Sequence, residues 1–330
     1  MTRLALVSFC LAALAAAPAA AQDVSSAYRA IYDDILVSDA AATVESCKAT
    51  QAVLGGDATD EARKAAFTTL AENWGRVEAI YVLGGYDMDA MDYPLFVDSY
   101  HSGNEDIHVS LARIIEGDKP PAKALYKNSY TSIGALDDIL FSGPWSPRRR
   151  ALAETVTASL CRNFERIHGG YVENRDAFLA DPDRALSLLL NAQVQSIYKT
   201  SDWRIAEVAG LTKKTLGQFH PENLQYPWSG ASWPVIGAIL DTHWRLVATD
   251  RAPNLSTIAT QSDAASGLLA VQDMLEVAIE AYNAVPPGEE FATKPAVPIV
   301  NALQRVKNAF YNSLALSLGL TLGLVAADGD

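Results

Sequence analysis

Apolar residues recur along this chain at steps of three and four, which is the spacing of one buried face of an α-helix. The clearest stripe consists of Leu152, Val156, Leu160, Phe164, Ile167 and Tyr171. Three further stripes are Ala27, Ile31, Ile35, Val44 and Cys47; Phe67, Leu70, Trp74, Val77 and Tyr81; and Ile299, Leu303, Val306, Phe310 and Leu314. Alternating runs of Val, Ile and Thr are missing, so the sequence predicts an all-α fold without a sheet.

Glycine and proline mark the places where these helices stop. The stretch GGDATDEARK separates the first two helices, and Asp57 or Thr59 can cap the second. EGDKPP ends the third helix, and SGPWSPRRR ends the fourth at Gly143. A long helix begins near Pro147, another begins at Asp183, and three follow the loop GQFHPENLQYPWSGASWP. The sequence therefore predicts two helical-bundle domains, over residues 22–143 and 147–330.

The chain begins with a stretch typical of a secretory signal peptide. Residues 1–21, MTRLALVSFCLAALAAAPAAA, contain one Arg, an apolar run and a closing triplet of alanines, which predicts cleavage near Ala21. That run is too short to span a membrane, and no later segment reaches about 18 uninterrupted apolar residues. We therefore expect an exported protein of the periplasm without a transmembrane segment.

Charge and cysteine content narrow the function classes. The formal net charge of −13 disfavours binding to nucleic acid or to anionic membranes. It suits a cationic ligand, although an acidic balance also keeps many exported proteins soluble. Beyond the signal peptide the chain contains Cys47 and Cys161. In an oxidising compartment this pair either forms a disulfide, which would tie the first helix to the middle of the chain, or stays as two free thiols.

Four stretches of the sequence resemble one protein family. NWGRVEAIYVLG resembles its Trp-bearing second helix, and SIGALDDILFSG falls where the family has a Gly-x-His-x-x-Glu motif followed by an apolar run and glycine. WSGAS resembles its Arg-Ser-Gly-x-Ser loop, and LALSLGLTLGLVAADGD is similar to its glycine-spaced ending on Asp-Gly-Asp. The chain thus resembles imelysin-like exported proteins, named after an insulin-cleaving metallopeptidase. The resemblance implies an all-helical fold of two bundles with a site at their interface, and a link to bacterial iron uptake or regulation.

The chain departs from the family pattern at the motif itself. Ser132 stands where the family has Gly, Gly134 where it has His, and Asp137 where it has Glu, while Trp228 falls at the Arg of the loop. His and Glu three residues apart on a helix project from one face and can hold a metal together. Glycine offers no ligand atom, and Asp is one methylene shorter than Glu. Zinc peptidase chemistry needs several ligands and a base, so we expect no peptidase activity from this motif.

Other motif or tail residues are also candidates for a site. Ser229 belongs to the WSGAS loop, and Glu78 lies one turn beyond Trp74. Glu78 is either a site carboxylate or an exposed residue, and a buried Glu there would need a partner. Asp328 and Asp330 end the chain, where they either face a site or belong to a frayed tail.

The stretch HSGNEDIH contains the densest set of candidate metal ligands. If it is helical, His101, Glu105 and His108 lie on one stripe, and imidazole with carboxylate suits zinc or iron. Gly103 and Asn104 weaken a helix here. The alternative interpretation is a polar helix face that contains two ordinary histidines.

Three functional hypotheses follow from the sequence. The first is an exported imelysin-like protein that acts as a non-catalytic periplasmic binding or accessory protein linked to the uptake of iron or another metal. The second is a metallopeptidase whose ligands are His101, Glu105 and His108. The third is a metal-free helical scaffold that binds a partner protein. The expected partner is a metal ion or metal complex, with iron and zinc as candidate cofactors, or a protein of the cell envelope.

Overall fold

The computed structural model describes residues 24–102, 105–215 and 217–323, and every regular element in these residues is helical, which confirms the all-α class. The predicted signal peptide with its cleavage position Ala21, and the tail residues Asp328 and Asp330, lie outside the described residues. In chain order the α-helices are α1 (Val24–Ala30), α2 (Ser38–Gly55), α3 (Asp60–Ala79), α4 (Tyr93–Val97), α5 (Ile107–Glu116), α6 (Pro121–Ala124), α7 (Ile133–Phe141), α8 (Pro147–Glu173), α9 (Arg175–Ala180), α10 (Pro182–Tyr198), α11 (Ser232–Val247), α12 (Leu255–Gln261), α13 (Ala265–Asn283) and α14 (Thr293–Ala309).

Three stretches of the described chain have the wider winding of a π-helix. They are Ile31–Val37, which joins α1 to α2, Lys199–Glu207, which continues α10, and Phe310–Ala315, which continues α14. Such windings are rare and occur frequently at functional sites. Among these three stretches, Lys199–Glu207 is the longest, with nine residues.

The apolar stripes read from the sequence face the interior. Every member of the stripe in α8, from Leu152 to Tyr171, is buried, and Trp74 of α3 is fully buried. Tyr81 departs from its stripe because it lies beyond the end of α3. Its ring is half-buried, and its hydroxyl donates to the carbonyl oxygen of Ala90 at 2.6 Å.

Side-chain caps set the predicted helix starts. Of the two candidates, Thr59 caps α3, because its hydroxyl accepts a hydrogen bond from the amide of Ala62 at 3.2 Å. Ser146 caps α8 in the same way, with its hydroxyl accepting from the amide of Arg149 at 3.3 Å. Caps of this kind contribute about 1 kcal/mol each to helix stability. Because few residue types can cap, the sequence indicates where these helices begin.

Helices from both halves of the chain share one apolar core. Helix α2 packs against α3 and α8, while α11 packs against both α3 and α13. Buried side chains from both sides of residues 143–147 belong to this core. The division into two bundles near that point stays a prediction. The shared core holds α3 in a fixed position against helices of the second half.

Among the described residues no helix has the length and apolar character needed to cross a lipid bilayer.

A disulfide connects Cys47 on α2 with Cys161 on α8, with the two Cα atoms 5.6 Å apart. This settles the alternative between a bridge and two free thiols. Both cysteines are buried in the core, so the bridge joins two helices that already pack together. It ties the first part of the chain to its middle, across 114 residues.

Replacing both cysteines, as Cys47→Ser with Cys161→Ser, should lower the free energy of unfolding by about 2–4 kcal/mol. The reason is that the 114-residue loop regains its conformational freedom in the unfolded chain. Urea titration followed by circular dichroism measures the change. The oxidised and reduced forms of the unaltered protein provide the control, and equal midpoints for all three would contradict the expectation.

Candidate functional site

Arg204 is a buried guanidinium at the centre of a polar network, and the π-helical segment Lys199–Glu207 carries it. Its side chain is 4% exposed. Its Nη2 donates to Oε2 of Glu78 at 2.6 Å, and its Nε donates to Oε1 of Gln225 at 3.0 Å. The guanidinium also lies 5.9 Å from the ring centroid of Tyr100. Arg204 thus connects the end of α3 with two loops that are distant in sequence.

Glu78 occupies the last turn of α3 and is paired rather than freely exposed. Burial by itself would raise the pKa of Glu78, but Arg204 and Lys199 outweigh this effect and hold its pKa below the usual value. The ammonium of Lys199 lies 3.7 Å from Oε1 of Glu78. The carboxylate therefore stays ionised, and the partner that a buried Glu needs is present.

Asp98 is a second buried carboxylate of this network, and sequence reasoning missed it. Its Oδ2 accepts from the amide nitrogen of Gln225 at 2.7 Å and from the hydroxyl of Tyr226 at 3.2 Å. Its Oδ1 accepts from the backbone amide of Tyr100 at 2.9 Å. Burial raises the pKa of Asp98, and the neighbouring charge of Glu78 raises it further. An Asp after a short apolar helix has the same sequence signature as a solvated loop residue, so no local signal distinguished it.

Asp137, the carboxylate retained at the motif, anchors the WSGAS loop. Its Oδ1 accepts from the backbone amide of Ser229, and its Oδ2 accepts from that of Trp228, each at 3.0 Å. Burial raises the pKa of Asp137 to about 6. Ser229 completes the turn, since its hydroxyl accepts from the amide of Ala231 at 3.1 Å. Both carboxylate oxygens are thus engaged by backbone amides, and the chemistry of this residue is to position the loop.

The other two motif positions lie at the start of α7. The hydroxyl of Ser132 caps this helix by accepting from the amide of Ala135 at 3.2 Å. Gly134 lines a cavity of about 390 Å³, which we name the motif cavity. A Cβ atom built at Gly134 would meet Oγ of Ser132 at 3.8 Å, which is ordinary van der Waals contact. The position that lacks the family's histidine therefore opens onto a cavity and has room for a side chain.

The prediction that His101, Glu105 and His108 share a helical stripe is wrong. Helix α5 begins at Ile107, because the carboxylate of Asp106 accepts a hydrogen bond from the backbone amide of Val109 and caps the helix there. His101 has a left-handed backbone, with φ of 58°. In the part of the chain that the structure describes, no three His, Cys, Asp or Glu side chains are arranged to hold a metal ion.

These three residues nevertheless line the same cavity as Gly134. Glu105 accepts from the hydroxyl of Tyr130 at 2.6 Å and from the ammonium of Lys127 at 3.0 Å. The hydrogen bond from Tyr130 lowers the pKa of Glu105 to about 2, and those from Lys127 and Ser110 act in the same direction. His108 contributes its imidazole from the first turn of α5. The motif cavity therefore combines imidazole and ionised carboxylate groups from separate segments.

His101 stands between two cavities. Its Nε2 lies 3.1 Å from Oε2 of Glu207, and its ring stacks on that of Trp203 with centroids 4.6 Å apart. Tyr100 contacts the same ring edge-on at 4.7 Å. Left-handed backbone in a residue other than glycine persists where the surroundings hold it, and such positions cluster at functional sites.

A row of three cavities, all lined by described residues, runs away from the motif. The motif cavity adjoins a middle cavity of about 150 Å³, with which it shares Asp98, Tyr100, His101 and Ser102. The middle cavity adjoins one of about 320 Å³, which we name the Lys199 cavity; these two share Glu78, Pro94, Leu95, Gln195 and Lys199. The buried network around Arg204 and Asp98 lies beside this row and fixes its walls.

His108 should titrate above the usual pKa of about 6.5 for histidine, because its Nδ1 lies 2.5 Å from Oδ2 of the buried Asp138 and this bond raises the pKa of His108. Since the folded pKa exceeds the unfolded one, the stability that this pair adds is fully present below about pH 6.5 and is lost as pH rises through the folded pKa. NMR titration of the imidazole measures the shift.

The matched variants are Asp138→Asn, which should lower the pKa of His108, and Asp273→Asn, an exposed residue of α13, which should leave it unchanged. An equal effect of both substitutions would contradict the assigned pair.

Comparison with known proteins identifies relatives of this fold. The model of the imelysin family, peptidase M75, matches residues 28–307. No curated protein sequence matches the chain.

Two solved structures cover nearly the same extent. An imelysin-like protein from Psychrobacter arcticum 273-4 has a TM-score of 0.76 and 16% identity, over 91% of this chain and 97% of that one. A protein from Parabacteroides distasonis ATCC 8503, provisionally named iron-regulated protein A precursor, has a TM-score of 0.65 and 13% identity, over 90% and 97%. At such identities the likeness shows a shared fold. The match over residues 28–307 shows that this chain belongs to the imelysin family.

Proposed function

We propose that this protein is an exported, non-catalytic binding protein of the periplasm that serves the uptake of iron or another metal. In this proposal the motif cavity binds the metal, as an ion with its remaining water ligands or as a complex. The signal-like first 21 residues support export, and the relative named for iron regulation supports the link to iron.

The proposal rests on one observation: the motif cavity is lined by His101, Glu105, His108 and Gly134. Imidazole nitrogen and carboxylate oxygen are the donors that zinc and iron take in proteins. The cavity volume of about 390 Å³ falls within the range of small-molecule sites and exceeds what a single ion fills. A metal complex, which brings part of its own ligand set, therefore suits this cavity better than a bare ion.

The residues at the motif support binding without hydrolysis. A metallopeptidase holds its metal with several side chains and activates a water with a nearby base. Here Gly134 supplies no donor atom, and both oxygens of Asp137 accept backbone hydrogen bonds from the WSGAS loop. Gly134 therefore cannot bind a metal through its side chain, and the carboxylate of Asp137 is engaged in holding the loop.

Metal binding is tested by isothermal titration of chelator-treated protein with ferric nitrilotriacetate and, separately, with zinc chloride. The unaltered protein should bind at least one of them. The double variant His101→Ala with His108→Ala should weaken binding at least about tenfold, because a charged or dative contact of this kind contributes more than 1.4 kcal/mol.

The control is His168→Ala, which removes a histidine that lies on α8 and does not line the motif cavity. Gly134→His restores an imidazole where a Cβ has room, so it should tighten zinc binding. Failure of the unaltered protein to bind either metal would overturn the proposal and favour the metal-free scaffold.

Incubation with insulin B chain or casein should yield no cleavage, with or without added zinc, when products are separated by mass spectrometry. The reason is that neither motif position supplies a metal ligand. Cleavage that a chelator stops would contradict the non-catalytic assignment and revive the metallopeptidase hypothesis.

A further inference from the structure

The Lys199 cavity and the middle cavity contain donor groups that no described acceptor reaches at hydrogen-bonding distance, beside carboxylates that are already paired. Glu78 accepts from Arg204 at 2.6 Å, and Asp98, in the wall of the middle cavity, accepts three hydrogen bonds. The carboxylates along this part of the row thus already have strong donors. A cation arriving here would find them engaged and would also face the ammonium of Lys199.

Three donor groups around the same space lack an acceptor at hydrogen-bonding distance among the described residues. The Lys199 ammonium has its closest acceptor, on Glu78, at 3.7 Å, which is longer than a hydrogen bond. The indole Nε1 of Trp74, a fully buried residue that lines the middle cavity, has no partner. Gln195 lines both cavities, and no described residue bonds to its carboxamide. Trp74 is the buried donor of this set, whereas the Lys199 side chain is 28% exposed and Gln195 is exposed. An unpaired buried donor is unfavourable, and two open donors lie around the same space, so the set favours a ligand that brings acceptors.

Apart from Ser196, whose hydroxyl lies 3.2 Å from Nε2 of His243, the remaining wall of the Lys199 cavity is apolar. It includes Tyr81, Met91, Pro94, Leu95 and Ile239. Met91 and Leu95 are about half exposed, at 54% and 50%, so they form the edge that faces solvent. A ligand that fits both parts has an acceptor-rich head and an apolar body. In the lining of the Lys199 cavity, Lys199 and Arg204 outnumber Glu78. The middle cavity adds the carboxyl group of Asp98, which already accepts three hydrogen bonds, so a negative head fits best beside Lys199.

We propose that the Lys199 cavity, with the middle cavity, is a second binding site that takes a small amphipathic monocarboxylate. The carboxylate accepts hydrogen bonds from Lys199, Trp74 and Gln195, and the apolar body lies against Tyr81, Leu95 and Ile239. This site goes beyond the proposed metal binding, since it uses other residues and its occupancy does not require a metal. The π-helical winding that begins at Lys199 presents the ammonium to the cavity.

Isothermal titration with benzoate and hexanoate tests the site, with benzyl alcohol, hexan-1-ol and inorganic phosphate as matched probes. The carboxylates should bind at least about tenfold more tightly than the alcohols, because the alcohols lack the charged head. Phosphate should bind at least about tenfold more weakly than either carboxylate, because it lacks the apolar body.

Variants assign the binding to the named donors. Lys199→Met keeps the length of the side chain but removes the charge, and should weaken benzoate binding at least about tenfold. Trp74→Phe keeps a ring in the core without the indole N–H and should weaken binding severalfold. Lys213→Met removes an exposed lysine that lines neither the Lys199 cavity nor the middle cavity, and should leave benzoate binding unchanged. Thermal melts of each variant show that the fold is retained.

Equal binding of benzoate and benzyl alcohol, no carboxylate binding, or unchanged affinity in the Lys199→Met protein would each overturn the second site. A parallel titration of the same variant with ferric nitrilotriacetate separates the two proposals. If the Lys199→Met protein binds the metal but not benzoate, the two sites are independent. If the unaltered protein binds benzoate but no metal, the proposal for the motif cavity fails and the second site stands.

Discussion

The ion pair between Arg204 and Glu78 is the interaction on which the site depends. A guanidinium removed from water must be paired and hydrogen-bonded, and leaving one partner alone in the interior costs about 3–5 kcal/mol. Arg204 meets this requirement with Glu78 and Gln225, and Gln225 in turn donates to Asp98. The chain of contacts connects α3, the π-helical segment Lys199–Glu207 and two loops. These parts are far apart in sequence, and the buried charges hold them in one arrangement.

This network also decides the chemistry of the cavities beside it. It pairs Glu78 with Arg204 and Asp98 with Gln225, while the buried indole N–H of Trp74 beside them has no acceptor among the described residues. The motif cavity, on the other side of His101, has imidazole and carboxylate groups instead. Two neighbouring spaces in one protein thus present different chemical groups, and the two proposed ligands, a metal and an organic anion, rest on that difference.

The altered motif has a structural consequence as well as a chemical one. The carboxylate of Asp137 accepts the amides of Trp228 and Ser229, which keeps the motif helix α7 and the WSGAS loop in register. Gly134 leaves free volume where a ligand side chain would stand. Asp137 therefore holds the motif helix and the loop together, while the volume beside Gly134 belongs to the motif cavity.

The sequence by itself determined the helical class, the buried face of four apolar stripes and two candidates for the cap of α3, because periodicity and capping depend on residues within a few positions of one another. It also identified the altered motif and the cysteine pair, leaving the state of the cysteines open. It erred at His101, since the Asp106 cap and a left-handed backbone end the expected stripe. It missed Asp98, Lys199 and Arg204. Tertiary structure decided these, because the burial and partners of a charged side chain depend on segments more than a hundred residues away.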